Sequence, residues 1–406
     1  MSAPIPHETA AWLAGLTPAK LQAAAAATRL HQVDAVVTGL ALLVVADLIY
    51  RGRLLTRVRE HVEAQGRRPW IATAVCALVV SATLVVVWET CTAFGAWDEN
   101  GASIANLPAT ILKFWSRAPI TILMFTLAAS VLYYLIRRLP RAWWAISAGA
   151  LSLFFFAVVW APDALVSGPS GMAEAPAGAV RDGVLDLIHS TDLPAEGVQV
   201  SPRPGLDADV TGGIGGLAHV DVTRAMLAEP VSEARAAVGH VMGHQAHRDM
   251  LSYALLLSAL TFLGFFIADR FFATFQRLLS YKRPLWPSDP EAMPVMAMFL
   301  VVWLAVSSIT TNNFVRLINV GADQYSLDHA KEPDGLALWL IRDWRGDKPN
   351  PSPLEETLFY DHPSLVSRLQ HIAQWKAAHA KTAPVARDTA EAVEASRTGI
   401  SDRPGG

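Results

Sequence analysis

The stretch AAVGHVMGHQAHRD, residues 236–249, decides how the rest of this chain is interpreted. His240 and His244 are four positions apart, so a helix places both imidazoles on one face, where they can bind a single cation. Gly243 lies between them and lets another segment approach closely. The same spacing also fits two histidines on an ordinary polar helix face, so the surrounding sequence has to decide between a metal site and a structural pair.

The composition indicates a membrane protein. Of 406 residues, 52% are hydrophobic and only 17% are charged, which is too apolar for an ordinary soluble domain. The net charge of -3 provides no basic excess for binding phosphates, so we expect no nucleic-acid partner. Cys76 and Cys91 lie in or beside an apolar run, which predicts neither a disulfide framework nor a cysteine-based zinc site.

Six apolar stretches approach or exceed the length needed to cross a bilayer, about 18–20 residues. Between them lie segments of mixed polarity that predict one α+β domain, interrupted by a membrane hairpin. We therefore predict a mainly α, polytopic membrane protein with an interrupted domain. The predicted spans are 34–50, 70–88, 118–136, 143–161, 251–268 and 292–310. The predicted organisation is an amphipathic surface segment (1–33), four transmembrane helices (34–161), the first part of the domain (165–250), the hairpin (251–310), the second part of the domain (311–380) and a disordered tail (381–406).

Five stretches resemble, in the same order, the integral-membrane CAAX prenyl endopeptidases, a gluzincin family of zinc metalloproteases. The helix VSEARAAVGHVMGHQAHRD is similar to the family's helix around H-E-x-x-H, and VRLINVGADQYSLDHA is similar to the helix that carries its third zinc ligand. The others are the membrane segment YYLIRRLPRAWWAISAGALSLFFFAVVWAP, the Gly-rich ADVTGGIGGLAHVDVTRAML and the late motif LFYDHPSLVSRLQHI. The combination is far more specific than any one motif, and it implies a zincin-like fold and peptide-bond hydrolysis.

Compared position by position with the family, this sequence retains some of the active-site residues and replaces others. The general-base glutamate is replaced by Val241, and the third zinc ligand, also a glutamate, is replaced by Asn319. Valine cannot accept a proton, and an amide lacks the negative charge that helps to offset that of the metal. The resemblance implies that the retained positions are the zinc ligands His240 and His244, the late-motif His362 and Arg368, and Arg316, Ala322 and Asp323 around the third ligand.

Several other side chains could substitute for the two missing carboxylates. His247 follows His244 by three positions, so these two, or all three histidines with Asp323, could hold a metal in an altered geometry. The alternative is that His247 and Asp323 only hydrogen-bond to neighbouring groups. Glu233 is two turns from His240, about 10 Å along the helix axis, and is too distant to replace the base. Glu89, Asp98 and Glu99 fit a solvated cluster at a membrane interface, and TGGIGG lacks the lysine of a phosphate-binding loop.

Two functional hypotheses follow. The first is a catalytically impaired protease homologue that binds zinc weakly or not at all and holds a peptide or membrane-protein segment, including lipidated ones, within the bilayer. The second is an active zinc endopeptidase with a rearranged site. Either protein would be a multi-pass integral membrane protein, and we expect it in the bacterial inner membrane.

The orientation in the membrane is left open by two opposing arguments. Basic residues are concentrated in RGRLLTRVREHVEAQGRRP, RRLPR and DRFFATFQRLLSYKRP, which the positive-inside rule places in the cytoplasm. With six spans, the protease-like domain would then face the other side. Resemblance to the family implies a cytoplasmic domain instead.

Overall fold

A computed structural model describes residues 7–99, 105–160, 173–191, 195–203, 205–211, 218–279, 281, 285–344 and 346–379. The predicted tail and most of the Gly-rich TGGIGG turn lie outside these residues. The described helices are α1 His7–Leu13, α2 Pro18–Arg51, α3 Leu54–Ala64, α4 Pro69–Glu99, α5 Leu107–Trp115, α6 Ala118–Arg138, α7 Trp143–Trp160, α8 Ala179–His189, α9 Val231–Ala246, α10 Asp249–Leu278, α11 Met293–His329, α12 Pro333–Arg342, α13 Pro353–Phe359 and α14 Leu365–His379. The strands are β1 Ala173–Glu174, β2 Ala195–Ser201, β3 Ala208–Thr211 and β4 Ala218–Thr223.

The fold class predicted from the sequence is confirmed: a helical, polytopic membrane protein with one small sheet. Within the described residues, five helical segments are long and apolar enough to cross a membrane: Pro18–Arg51, Pro69–Trp97, Leu107–Arg138, Asp249–Leu278 and Pro290–His329. The predicted span at 143–161 corresponds to α7, whose described apolar part, Trp143–Val158, is shorter than these five.

The membrane helices pack around a few large side chains. Tyr133, Ile136 and Trp143 are buried together at the junction of α6 and α7. The indole Nε1 of Trp143 donates a hydrogen bond to Oδ1 of Asp269 in α10, at 2.7 Å. The other carboxylate oxygen of Asp269 lies 3.5 Å from Nε of the exposed Arg270, so this charged group is paired on both sides.

The domain is built on a four-stranded sheet in the order β1-β2-β4-β3. Strands β2 and β4 are parallel, and the β1-β2 and β3-β4 pairs are antiparallel. Val198, Val220 and Val222 are buried on the face that contacts the helices. The core of the domain continues through α8, α9, α12 and α14, so segments before and after the α10–α11 hairpin share one hydrophobic core.

Helices α9 and α11 pack unusually closely because glycines line the contact. A Cβ atom on Gly239 would lie 2.9 Å from the Ser326 hydroxyl, and one on Gly243 would lie 2.9 Å from the Cα atom of Ala322. The Ser326 hydroxyl also donates a hydrogen bond to the carbonyl of Ala236, at 2.7 Å. The two glycines thus bring the backbone of α11 directly against the helix that carries the histidine pair.

The N-terminal segment forms part of the domain rather than an isolated surface helix. Leu16 belongs to the domain core, and Lys376 of α14 contacts Glu8 at 2.5 Å. Helix α2 starts at Pro18 and continues into the membrane, so the boundary predicted at residue 33 lies inside a helix.

Candidate metal centre

The two histidines of α9 point towards one another. Their Nε2 atoms are 3.2 Å apart, and their rings are nearly perpendicular, at 88°. Two imidazole nitrogens bound to one tetrahedral zinc ion, each at about 2.0–2.1 Å, would lie about 3.3–3.4 Å apart. The spacing of His240 and His244 is therefore close to that of two ligands on a shared metal.

A carboxylate lies beside the Nδ1 atom of each imidazole, on the side of the ring away from the other histidine. Nδ1 of His240 lies 2.8 Å from Oδ1 of Asp323, and Nδ1 of His244 lies 2.8 Å from Oδ2 of Asp249. A carboxylate accepts a hydrogen bond from the Nδ1–H group, which fixes the tautomer and leaves the Nε2 lone pair for a cation. With both rings in this form, two lone pairs face each other, an arrangement that a cation between them would stabilise.

His240 is the more enclosed of the two histidines. Its side chain is 8% exposed, against 25% for His244, and the ring of Trp339 lies 5.4 Å away, centroid to centroid. Burial lowers the pKa of His240 to about 4, against the opposing effect of the Asp323 hydrogen bond. The imidazole is therefore neutral near pH 7, which is the form that binds metals.

Asp323 is held on its other side by an arginine from α14. Nε and Nη2 of Arg368 lie 2.7 and 2.6 Å from the two carboxylate oxygens, a bidentate ion pair. Asp323 is 2% exposed and Arg368 is 12% exposed, so the pair is largely shielded from water. Arg368 of α14 thus holds Asp323 of α11, and Asp323 in turn holds the imidazole of His240 in α9. Three helices together fix the position of the His240 Nε2 atom.

Val241 and Asn319, at the two positions where the resemblance implies a glutamate, contribute no charge to this centre. Val241 is partly buried and packs against the hydrophobic core of the domain. Asn319 is buried in α11, one turn before Asp323 and on the same face, and its amide nitrogen donates to the carbonyl of Val315 at 2.8 Å. Neither side chain can supply the proton acceptor or the anionic ligand that the resemblance implies at these positions.

The other residues predicted for the site make contacts of their own outside the histidine pair. His247 is exposed and faces α11, with its ring 6.0 Å from that of Tyr325. His362 is partly exposed and its Nδ1 lies 3.0 Å from Oδ1 of Asp361. The guanidinium of Arg316 binds the carbonyl of Glu356, which ties α11 to α13.

The donor set does not fit a catalytic zinc site. Such sites have three protein ligands drawn from histidine, cysteine and carboxylate. Within the part of the chain that the structure describes, no group of three or more histidine, cysteine, aspartate or glutamate side chains could hold a metal ion. His240 and His244 supply two suitable nitrogens, whereas the third position offers only the neutral amide of Asn319.

Two contacts of the centre were missed by the sequence analysis. Asp249 follows His244 by five residues, and its role depends on a turn at Arg248, where φ is 55°. A carboxylate soon after the second histidine was the only signal in the sequence. Trp339 is nearly 100 residues from His240 along the chain, and no motif connects them.

Known proteins resemble this chain in sequence or in fold. Residues 174–376 match peptidase family M48, which is 203 of the 406 residues. A curated Bacillus subtilis (strain 168) protein, described as an uncharacterized metalloprotease, YhfN, is 27% identical over 278 residues, covering 64% of this chain and 62% of that protein. The crystal structure of S. mikatae Ste24p superposes with a TM-score of 0.53 at 14% identity, over 73% of this chain and 76% of that chain. The predicted family of membrane metalloproteases is thereby confirmed.

Proposed function

Because this chain belongs to peptidase family M48, we propose that it is a membrane-embedded homologue of zinc metalloendopeptidases that has lost catalytic power and retains a polypeptide-binding site. One observation carries this proposal: each histidine of the pair has a carboxylate behind it, whereas Val241 and Asn319 stand where the resemblance implies the two carboxylates that the reaction needs. Removing a positioned general base costs about 10²- to 10⁴-fold in rate even when a metal remains.

A protein of this kind keeps the contacts that build the protease fold around the site. The glycine-lined contact of α9 with α11 and the chain from Arg368 through Asp323 to His240 are both in place. A fold preserved around a site without its reactive groups is suited to holding a peptide or a membrane-protein segment. We place the protein in the bacterial inner membrane as part of this proposal. The chain spans only 62% of the length of its relative from Bacillus subtilis.

The test is an endopeptidase assay on the purified protein. We expect no cleavage of unmodified or prenylated peptides with added zinc, and measurable binding of an uncleaved peptide by fluorescence anisotropy. Cleavage that a chelator stops and that His244→Ala abolishes would overturn the proposal. Absence of both cleavage and peptide binding would contradict its binding part.

The alternative is an active endopeptidase with a rearranged metal site. It is favoured by the 3.2 Å approach of the two Nε2 atoms and by the carboxylate behind each ring, since both are features of a working metal centre. The same assay decides between the two functions, because only the active enzyme gives products.

A further inference from the structure

One end of the membrane bundle is formed by three short connections that contact one another. Nη2 of Arg51, at the end of α2, donates to the carbonyl of Leu279, just after α10, at 3.2 Å. Nε of Arg137, near the end of α6, donates to the carbonyl of Ser288 at 3.0 Å. The connections after α2, α6 and α10 therefore lie at the same end, which we call the basic end.

The histidine pair lies at the opposite end. The N-terminal half of α2 is bound to the domain there, because the backbone N–H of Lys348 donates to the Thr28 hydroxyl at 2.7 Å. The amide of Gln32 also donates to Glu355 of α13, at 3.2 Å. Helix α2 has 34 residues, about 51 Å at 1.5 Å per residue, which exceeds the roughly 30 Å of bilayer hydrocarbon.

Outside the domain, the two ends of the membrane bundle differ strongly in their number of basic residues. The connection opposite the basic end, between α4 and α6, carries only two, Lys113 and Arg117, and the N-terminal segment carries Lys20 and Arg29. Positive charge in short loops sets orientation, whereas long domains are translocated largely regardless of their charge. The described residues of the basic end and its adjoining helix turns include eleven arginines: Arg51, Arg53, Arg57, Arg59, Arg67, Arg68, Arg137, Arg138, Arg141, Arg270 and Arg277. The sequence between α10 and α11 adds Lys282 and Arg283.

The arrangement of α3 is consistent with a lipid headgroup surface at this end. Leu55 is buried in the bundle, whereas Arg53 and Arg57 are exposed. Arg67, Arg68 and Arg141 are exposed as well, in the loops beside it. A basic face of this kind is attracted to the anionic lipids of a cytoplasmic leaflet.

We propose that the basic end is cytoplasmic, and that the His240–His244 site faces the opposite, extracytoplasmic side of the membrane. The polypeptides that reach it are then exported chains and external segments of membrane proteins, and not chains lipidated in the cytoplasm. The orientation does not depend on whether the site cleaves, whereas the class of polypeptide rests on the proposed function.

Cysteine labelling in membrane vesicles of defined orientation tests the proposal. Asp182 is exposed on α8 of the domain, and Arg68 is exposed at the basic end. With a membrane-impermeant maleimide, we expect labelling of Asp182→Cys in right-side-out vesicles and of Arg68→Cys only in inverted vesicles. The unmodified chain is the control, because Cys76 is fully buried and Cys91 lies within α4. The reverse pattern, or equal labelling of both variants in both kinds of vesicle, would overturn the orientation.

A reporter fused after Gly406 gives a second measurement in case a cysteine variant does not fold. Alkaline phosphatase is active only outside the cytoplasm, and a fluorescent protein exported unfolded through the general secretion pathway stays dark. We expect phosphatase activity without fluorescence, and fluorescence without phosphatase activity would overturn the proposal. If these tests give the expected results but the protein binds no peptide, the proposed orientation stands and the proposed function is contradicted. Failure of the orientation can therefore be distinguished from failure of the function.

Discussion

Nδ1 of His244 lies 2.8 Å from Oδ2 of Asp249, the first residue of the membrane helix α10. The turn between α9 and α10 is made by Arg248 in the left-handed region, at φ 55°, which folds the start of α10 back onto α9. The second histidine is therefore oriented by the beginning of a membrane helix. His240 is oriented differently, by Asp323 near the end of α11.

The first prediction concerns zinc content. We expect the purified, dialysed protein to hold well under one zinc ion per chain, because His240 and His244 are two ligands and Asn319 is a poor third. Elemental analysis measures this directly. A stable, near-equimolar zinc content that disappears in the His240→Ala variant would contradict it.

The second prediction concerns restoration of the two lost carboxylates. Val241→Glu alone adds a base to a poorly held metal, and Asn319→Glu alone adds a ligand without a base, so neither should give activity. The double variant should bind zinc and show measurable peptide cleavage.

A matched control separates the two roles in that experiment. Val241→Gln combined with Asn319→Glu keeps the size of the side chain but provides no general base, so it should bind zinc and cleave at least about 10²-fold more slowly. Equal rates for the two double variants would show that position 241 does not act as the base. An inactive Val241→Glu, Asn319→Glu variant would mean that the site differs from that of an active enzyme at further positions.

The third prediction tests the support of His244. In the Val241→Glu, Asn319→Glu background, Asp249→Ala should weaken zinc binding by about 10- to 100-fold, which is the usual effect of removing a carboxylate behind a metal-binding histidine. Competition with a chelator of known affinity measures the change. Asp182→Ala removes an exposed carboxylate away from the site and should leave zinc affinity unchanged. Equal affinities for the two variants would refute the role of Asp249.

The fourth prediction tests the contact between α9 and α11. Gly243→Ala should lower the free energy of unfolding by about 1–3 kcal/mol, because the new methyl group would lie 2.9 Å from the backbone of Ala322. Gly39→Ala is the control, since its methyl group would meet nothing within 4 Å. Thermal unfolding in detergent compares the two, and a Gly243→Ala protein as stable as Gly39→Ala would argue against close packing here.

The sequence was most informative where a local period or a motif carries the structure. Helical spacing predicted that His240 and His244 share one face, and the apolar runs predicted a polytopic bundle. The Arg368–Asp323–His240 chain unites residues that the family resemblance had already singled out separately. Which atoms meet, however, depends on the packing of three helices and could not be obtained from spacing alone.

Contacts that depend on long-range packing could not be predicted. The segment before the first span was expected on the surface because its amphipathic pattern shows an apolar face without showing what covers that face. In the structure, Leu16 enters the domain core and Glu8 pairs with Lys376. Trp339 was missed for the same reason, since nothing in its local sequence points to His240.

The continuity of α2 has a practical consequence for anyone who wishes to dissect this protein. One uninterrupted helix carries Thr28, which binds the domain, and Arg51, which binds the opposite end of the bundle. A fragment that starts at residue 173 would leave bare the core surface that Leu16 covers and the backbone that Thr28 binds. The domain is therefore no autonomous folding unit, and its excision as a soluble piece should yield an aggregating polypeptide rather than a smaller working copy.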